Sequence, residues 1–442
     1  MHPRLKAFKS RILAGPPDTH PKLYFVKVDV QACFDNIPQE NMFKLIEQIL
    51  DTEEYRVDRY TDVQPPDSNG AAGKRPFTRW KTQAKKYSDP DLFAEYAQDL
   101  AKELKRGSVL VDGVRYNNWT RTYLLELLSK HLTNNIVKIG KKHYRQRTGI
   151  PQGSVLSTIL CTFLYGSLEQ THLPYTTSPN TLLLRMVDDF LLITTDRTHA
   201  TRFLHTMHVG LPSYGVTISP DKTLTNFTTT VLGRPVRRLL DTHDFPYCGS
   251  TINTRTLAVK KDRTRIECTH IGDSLTVDYA HSPGQNLLRK TIRSFKISCA
   301  ALWLDTAAFN SFPTVLANIY HNFIEVAMKF CGSVKSLRRA GKKVRAVVLR
   351  RVVEETLETS YMMMKTRERA NESKRFVCVV GREEFMAVGV RAWRRVLQRK
   401  QAGYRGVLRW LGEVEGGLKM GGKKGQALRK RLEGEGLGGG RY

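Results

Sequence analysis

The stretch LLLRMVDDFLLITTD, residues 182–196, sets Asp188 and Asp189 side by side between apolar runs. Such runs fold to be buried, and burying adjacent carboxylates is costly unless something positive meets them. Two short apolar runs around an acidic pair read as a strand–turn–strand hairpin. Only Arg185 lies close by in sequence to neutralise it. A hard divalent cation with oxygen ligands is the other solution, and Mg²⁺ commonly takes one or two carboxylates plus substrate phosphates. Holding two metals about 3.5–4 Å apart for phosphoryl transfer needs a third carboxylate. Asp29, at the end of a β-branched and aromatic strand (LYFVKVD, residues 23–29), is the best candidate. Alone, the Asp–Asp pair reads as ordinary turn chemistry; beside Asp29 and the charge of this chain, it reads as part of a metal site.

That charge is +29 over 442 residues, with a sequence pI near 9.9. Such an excess points to a polyanionic partner, most often nucleic acid, rather than to a merely solvated basic surface. Residues 331–442 hold 28 Lys and Arg against 11 Asp and Glu, so more than half of the excess lies in that quarter. The seven cysteines are dispersed, with no C-x-x-C pair, which fits reduced thiols of a cytosolic or nuclear protein and argues against zinc. No apolar run is long enough to span a membrane, and the N-terminus lacks the apolar centre of a secretory signal.

Along the chain, LYFVKVD is followed by a helix signal near Pro38, with Phe43, Ile46 and Leu50 at helical spacing. Residues 51–115 read as an insertion: a Pro/Gly-rich loop (DVQPPDSNGAAGKRP) and a few exposed helices. Residues 144–170 carry a Pro-Gln-Gly turn feeding a largely buried helix, and residues 214–227 and 245–260 look like further β pairs. Beyond about residue 284 the pattern becomes helical, and residues 412–442 are Gly- and Lys/Arg-rich, a disorder-type composition. The expected fold class is α+β, with a helical domain after the mixed one.

LYFVKVDVQACFDNIP, RQRTGIPQGSVLSTILCTFLYGSLE and LLLRMVDDFLLIT resemble motifs A, B′ and C of telomerase reverse transcriptases. YGVTISPDKTLTNF is similar to motif D, and FPYCGSTINTRTL to motif E; all five appear in the family's order across residues 23–260. LRKTIRSFKISCAALWLDTAAFNSFPTVLANIYHNFIEVAMKF resembles the family's C-terminal extension, the polymerase thumb. Retroviral and intron reverse transcriptases usually show other residues before the Asp–Asp pair and lack so long a stretch between motifs A and B′. The resemblance implies a right-hand polymerase: an N-terminal remnant of the fingers (1–22), palm and partial fingers (23–280, with the insertion at 51–115), a helical thumb (281–411) and a tail (412–442). Motif A begins at residue 23, leaving no room for the family's fingers motifs 1 and 2 or its RNA-binding domain, so a C-terminal portion is expected.

The resemblance also implies roles. Asp29 and Asp188 would bind two Mg²⁺ ions, with Asp189 as third carboxylate. Phe34 would pack under the nucleotide sugar, where the family often has Tyr. Gln152 and Gly153 would approach the nucleotide or template; without the family match they are a turn before a helix. Lys222, otherwise a solvated turn lysine, would contact the triphosphate and protonate pyrophosphate. Tyr247, Cys248 and Gly249 would form the primer grip, with Tyr247 standing where Trp is common. Arg289, Lys290, Arg293 and Lys296 would contact the backbone of an RNA–DNA hybrid, which positions a duplex without reading it. The expected function is RNA-directed synthesis of telomeric DNA in the nucleus, at chromosome 3′ ends. Its partners would be a telomerase RNA template, a single-stranded DNA primer, dNTPs, and accessory and telomere-end proteins, with no membrane. A retroelement-type reverse transcriptase and a non-catalytic nucleic-acid-binding fragment are the alternatives.

Overall fold

Both runs flanking the acidic pair are strands, and LYFVKVD pairs beside them. In the computed structural model, β1 (Tyr24–Asp29), β7 (Thr181–Met186), β8 (Asp189–Thr194) and β9 (Leu224–Thr225) form an antiparallel sheet in the order β7-β8-β1-β9. The structure describes residues 1–65, 76–89, 93, 97–98, 104, 107–240, 242–262, 275–277, 282–342, 344–369 and 376–418.

Side chains alternate along each strand, and here both faces are covered, which is why the strands read as near-continuous apolar runs. Val26, Val28, Phe190 and Leu192 pack against helices α3 (Gln39–Ile49), α4 (Arg121–Thr133), α5 (Val155–His172) and α6 (Arg197–Val209). Phe25, Leu191 and Ile193 face the other way. There they meet Leu5 and Phe8 of α1 (His2–Ile12) and the small sheet of β12 (Phe245–Tyr247), β13 (Ser250–Ile252) and β14 (Val259–Lys261). The Phe25 and Phe245 rings lie 5.1 Å apart. A short helix, α2 (Cys33–Asn36), links β1 to α3.

Two expectations are corrected. The insertion is not only loop and helix: β2 (Glu54–Gln64), β3 (Phe77–Lys86) and β4 (Val109–Thr120) form an antiparallel sheet in the order β3-β2-β4, while Phe93, Ala97 and Gln98 of the stretch expected to be helical are helical. Its strands are charged on one face, which hides them from a search for apolar alternation. Most of the Pro/Gly-rich loop and most of the stretch expected to be helical lie outside the described residues, as do residues 419–442 of the expected tail. The second correction is α5. Leu160, Leu164 and Leu168 are buried, but Val155, Ile159 and Phe163 are exposed, so it buries one face only. A hairpin of β5 (Ile136–Ile139) and β6 (Lys142–Arg145) precedes it, and a short hairpin of β10 (Thr230–Val231) and β11 (Arg234–Pro235) follows β9.

From Pro283 the described elements are helical: α7 (Pro283–Ser298), α8 (Ala301–Leu304), α9 (Phe312–Arg339), α10 (Ala346–Arg369), α11 (Arg382–Leu397) and α12 (Gln401–Gly417). Their core is built on aromatic contacts, Phe295 against Phe323 at 4.7 Å and Phe330 against Trp393 at 5.2 Å.

Polar side chains join this helical layer to the sheets. Asn318 Nδ2 donates to the Val259 carbonyl and its Oδ1 accepts from the Lys261 N–H, both at 3.1 Å, while Asn310 Oδ1 accepts from Val259 N–H at 2.8 Å. Two asparagines thus satisfy the open edge of β14 where another strand would otherwise be needed. Lys261, only 10% exposed, ion-pairs with Glu325 and donates to Asn322 Oδ1 at 3.1 Å; Lys329 meets the other oxygen of Glu325 at 2.5 Å. Burial lowers the Lys261 pKa, while the two ammonium groups, working against burial, hold the Glu325 carboxyl below its ordinary value.

Removing one partner of a buried pair leaves an uncompensated charge, worth about 3–5 kcal/mol. Glu325→Ala is therefore expected to lower the stability measured by urea unfolding by about that much, whereas the double change Lys261→Met with Glu325→Leu, which leaves no buried charge, loses clearly less. Equal losses would mean that the pair does not act as described.

Candidate active site

The register of β1 against β8 sets Asp29 directly opposite Asp189. Asp188 sits one residue earlier, in the β7–β8 turn, and its carbonyl accepts from the Val30 N–H at 3.2 Å. The turn is held by Val187 at φ +59°. A β-branched residue in the left-handed region is strained, by about 1–3 kcal/mol, and such strain is kept where the surroundings over-determine it. It brings the acidic pair to the sheet end where Asp29 emerges.

The positive groups expected opposite the pair are lysines. Arg185 turns away to Glu169, its Nε donating at 2.5 Å. Lys222 Nζ instead donates to Asp29 Oδ2 at 2.8 Å, and Lys27 Nζ lies 3.8 Å from Asp189 Oδ1. Lys222 comes from the Pro220–Lys222 turn, which follows Ser219, whose N–H donates to the Asp29 carbonyl at 3.1 Å. Lys27 was missed in the sequence, although its place two residues before Asp29 puts it on the same face of β1. Among the described residues no cation lies so close to Asp188. Burial, with the charges of Asp189 and Asp29, raises its pKa above the ordinary aspartate value. The hydrogen bond and charge of Asp29 raise Lys222 above the usual lysine value.

Among the described residues, no group of three or more His, Cys, Asp or Glu side chains stands arranged to hold a metal ion. The chemistry of the donors still fits one. They are carboxylate oxygens, the ligands of hard cations. Burial first, and then the charges of Asp189 and Asp29, raise Asp188, and Lys222 and Lys27 set positive charge beside Asp29 and Asp189.

The motif B′ residues adjoin motif A. Ile150 N–H donates to the Phe34 carbonyl at 2.7 Å, and Gly149 N–H to that of Ile37 at 3.2 Å. Phe34 is half-buried against the sheet–helix core. Gln152, on the surface, donates to both oxygens of Asp35 at 2.9 and 3.1 Å, so its amide braces α2. Gly153, at φ +83°, is exposed with open space around it.

Tyr247, assigned to the primer grip, does not present its ring on the surface. Its ring is 2% exposed, inside the core between β12 and the palm sheet, and its hydroxyl donates to the Asp189 carbonyl at 3.1 Å. It braces the acidic strand from below. Cys248, at φ +45°, and Gly249, at φ +74°, form the following turn. The Cys248 thiol lies 3.8 Å from Asp189 Oδ2, and burial together with that carboxylate pushes it up to about 11.

On α7, Arg289, Arg293 and Lys296 share one face, as their spacing of four and three residues requires. With Ile292, Ile297 and Arg367 of α10 they line an open groove of about 790 Å³. Lys290 lies off that face and donates to the Thr276 carbonyl at 2.6 Å. Arg367, invisible to local spacing because it lies on a distant helix, anchors the groove by hydrogen-bonding the Cys299 carbonyl.

A family profile described as the reverse transcriptase (RNA-dependent DNA polymerase) matches residues 99–252, and one described as the telomerase reverse transcriptase C-terminal extension matches residues 285–412. The telomerase reverse transcriptase of Canis lupus familiaris is 34% identical over 374 residues, 83% of this chain and 33% of the relative. That of Rattus norvegicus is 36% identical over 318 residues, 71% of this chain and 28% of the relative. The chain belongs to the telomerase reverse transcriptase family. It spans about a third of the length of the curated relatives it matches. The fold agrees: a structure of telomerase from Candida albicans, solved with a fragment of telomeric RNA, superposes with a TM-score of 0.53 at 16% identity, covering 92% of this chain and 53% of that one.

The junction of motifs A and B′ is sterically tight. A Cβ on Gly149, at φ +75°, would lie 2.4 Å from the Phe34 carbonyl oxygen and 2.6 Å from the Asp35 Cα. Gly149→Ala is expected to cost at least about 1–3 kcal/mol in urea unfolding, from the left-handed backbone and the clash together. The open Gly153→Ala should cost only the backbone part, about 1 kcal/mol. A neutral Gly149→Ala would show that the two motifs are not seated as described.

Proposed function

We propose that this chain carries the catalytic centre of an RNA-directed DNA polymerase of the telomerase type, extending a DNA 3′ end from an RNA template. One observation carries the reading: Asp29 faces Asp189 across β1–β8, with Asp188 in the adjoining turn, at the one sheet end where two lysines gather. In the presence of Mg²⁺, Asp29 and Asp188 are the residues to hold two ions, with Asp189 beside them. Bound there, such ions would neutralise charge on the incoming triphosphate and favour attack by the primer hydroxyl.

The rest is positioning by this chain's own residues. Asp29 is fixed by its strand register, and Asp188 by the strained turn at Val187. Lys222, two-thirds exposed on a short turn, is free to leave Asp29 for the triphosphate and to protonate the departing pyrophosphate. Phe34, beside the motif B′ turn, offers the edge against which a nucleotide sugar rests. Tyr247 and the Cys248–Gly249 turn support Asp189 and the primer end from beneath. Arg289, Arg293, Lys296 and Arg367 meet the phosphates of the template–primer duplex, which fixes register without reading sequence. We assign the whole protein to the nucleus, acting at telomeres on single-stranded DNA 3′ ends with dNTPs, a telomerase RNA and accessory proteins. The palm follows the boundaries set out above, while the insertion runs on to the end of β4 at Thr120 and the thumb to the end of α12 at Gly417.

Primer extension tests this. The chain, combined with the N-terminal two-thirds of a relative, an RNA template, a DNA primer, dNTPs and Mg²⁺, should extend the primer. Asp29→Ala and Asp188→Ala should each lower the rate by at least about a thousandfold, roughly 4 kcal/mol of transition-state stabilisation. Unchanged urea unfolding would show that the loss is chemical. Extension that survives either change would overturn the assignment.

A further inference from the structure

The insertion sheet has two unlike faces. The register of β2 against β3 and β4 puts all four acidic residues of the three strands, Glu54, Asp58, Asp62 and Asp112, on one face. On that face Asp58 is ion-paired with Arg56 and Lys85, and the Gln64 amide donates to Asp62 at 2.9 Å. The opposite face carries no acidic residue of these strands. It displays Trp80, 61% exposed, with the Arg59 guanidinium 4.5 Å from the ring centre. Among the described residues Arg59 has no carboxylate partner. Val57, Thr82 and Asn117 complete a shallow groove of about 420 Å³ around the pair. Further along the same face, Trp119 stacks on Tyr123 of α4, rings 5.1 Å apart and 17° from parallel.

The exposed indole beside a guanidinium with no carboxylate partner among the described residues leaves a ring face and a positive charge open to a ligand. The chemistry of that face selects the occupant. The charge is positive without acidic residues, so the ligand is an anion. The indole has a free π-face, so the ligand is flat and unsaturated. Asn117 and Thr82 offer hydrogen bonds to a polar edge. From Trp80, opposite Thr61, to Trp119, opposite Tyr55, is six residues of β2, or about 20 Å. That is the length of a few nucleotides rather than of a mononucleotide. We propose that this face of the insertion sheet binds single-stranded nucleic acid, with a base stacked on Trp80 and the adjacent phosphate held by Arg59. The site is separate from the carboxylate centre and from the groove along α7, and goes beyond the polymerase reading.

The test uses the full chain and two fluorescein-labelled probes, a dT 12-mer and a U 12-mer, followed by anisotropy. Because base stacking on an aromatic residue is worth about 1–3 kcal/mol, Trp80→Ala should weaken binding by about fivefold or more, and Trp80→Phe should recover most of it. A deeper loss for one probe identifies DNA or RNA as the preferred source of the strand. Since Trp80 is a surface residue, neither change should alter urea unfolding. As a second readout, a dT 12-mer carrying one 5-iododeoxyuridine should photocrosslink to the tryptic peptide containing Trp80. Equal affinities of wild type and Trp80→Ala for both probes, with no crosslink on β3, would overturn the proposal and leave the face to a protein partner. Because this readout needs no nucleotide or metal, it stands or falls independently of the extension assay.

Discussion

The mutual repulsion of three carboxylates at one sheet end is the constraint on which the rest of the palm depends. Asp29, Asp188 and Asp189 lie where two strands end together, and each demands positive charge. Lys222 and Lys27 answer for two of them. Among the described residues Asp188 has no ion-pair partner, and burial, with the charges of Asp189 and Asp29, raises its pKa. An arrangement that strains Val187 and leaves one carboxylate uncompensated is poor for stability alone. It becomes reasonable if the missing charge arrives with a substrate.

Much of the surrounding structure serves to keep those groups in place. Helices cover one face of the palm sheet, while α1 and the β12–β14 sheet cover the other, so a slip of one residue between β1 and β8 would invert every buried side chain. That locks Asp29 opposite Asp189. Tyr247 braces the Asp189 backbone, Ser219 ties the Lys222 turn to Asp29, and the motif B′ turn donates hydrogen bonds to the carbonyls of Phe34 and Ile37. The Lys261–Glu325 pair and two asparagines then fasten β14, and with it the sheet beneath Asp189, to the helix that spans the thumb.

The acidic hairpin and the strand ending in Asp29 were legible in the sequence because burial on both faces makes apolar runs, and charges interrupt such runs visibly. Lys222 was legible only through family resemblance, since a turn lysine has no local pattern, and Arg367 was hidden by its distance along the chain. The β2–β4 sheet was missed because its ion-paired face breaks the apolar alternation a strand usually shows. Tyr247 was legible as a primer-grip position because its motif is visible, but its burial was not. Its neighbours in the core come from α1 and the palm, remote in sequence. What local chemistry decides was readable; what long-range packing decides was not.

The central claim is that Asp29 and Asp188 take divalent cations, with Lys222 giving up its place on Asp29. The most direct measurement is anomalous diffraction at the manganese edge, from crystals of the chain soaked with Mn²⁺ and a non-hydrolysable dNTP analogue. The account predicts anomalous density at Asp29 and Asp188, with the Lys222 ammonium displaced from Asp29 toward the triphosphate. Nucleotide bound with Lys222 still paired to Asp29, and no anomalous density among the three carboxylates, would contradict it.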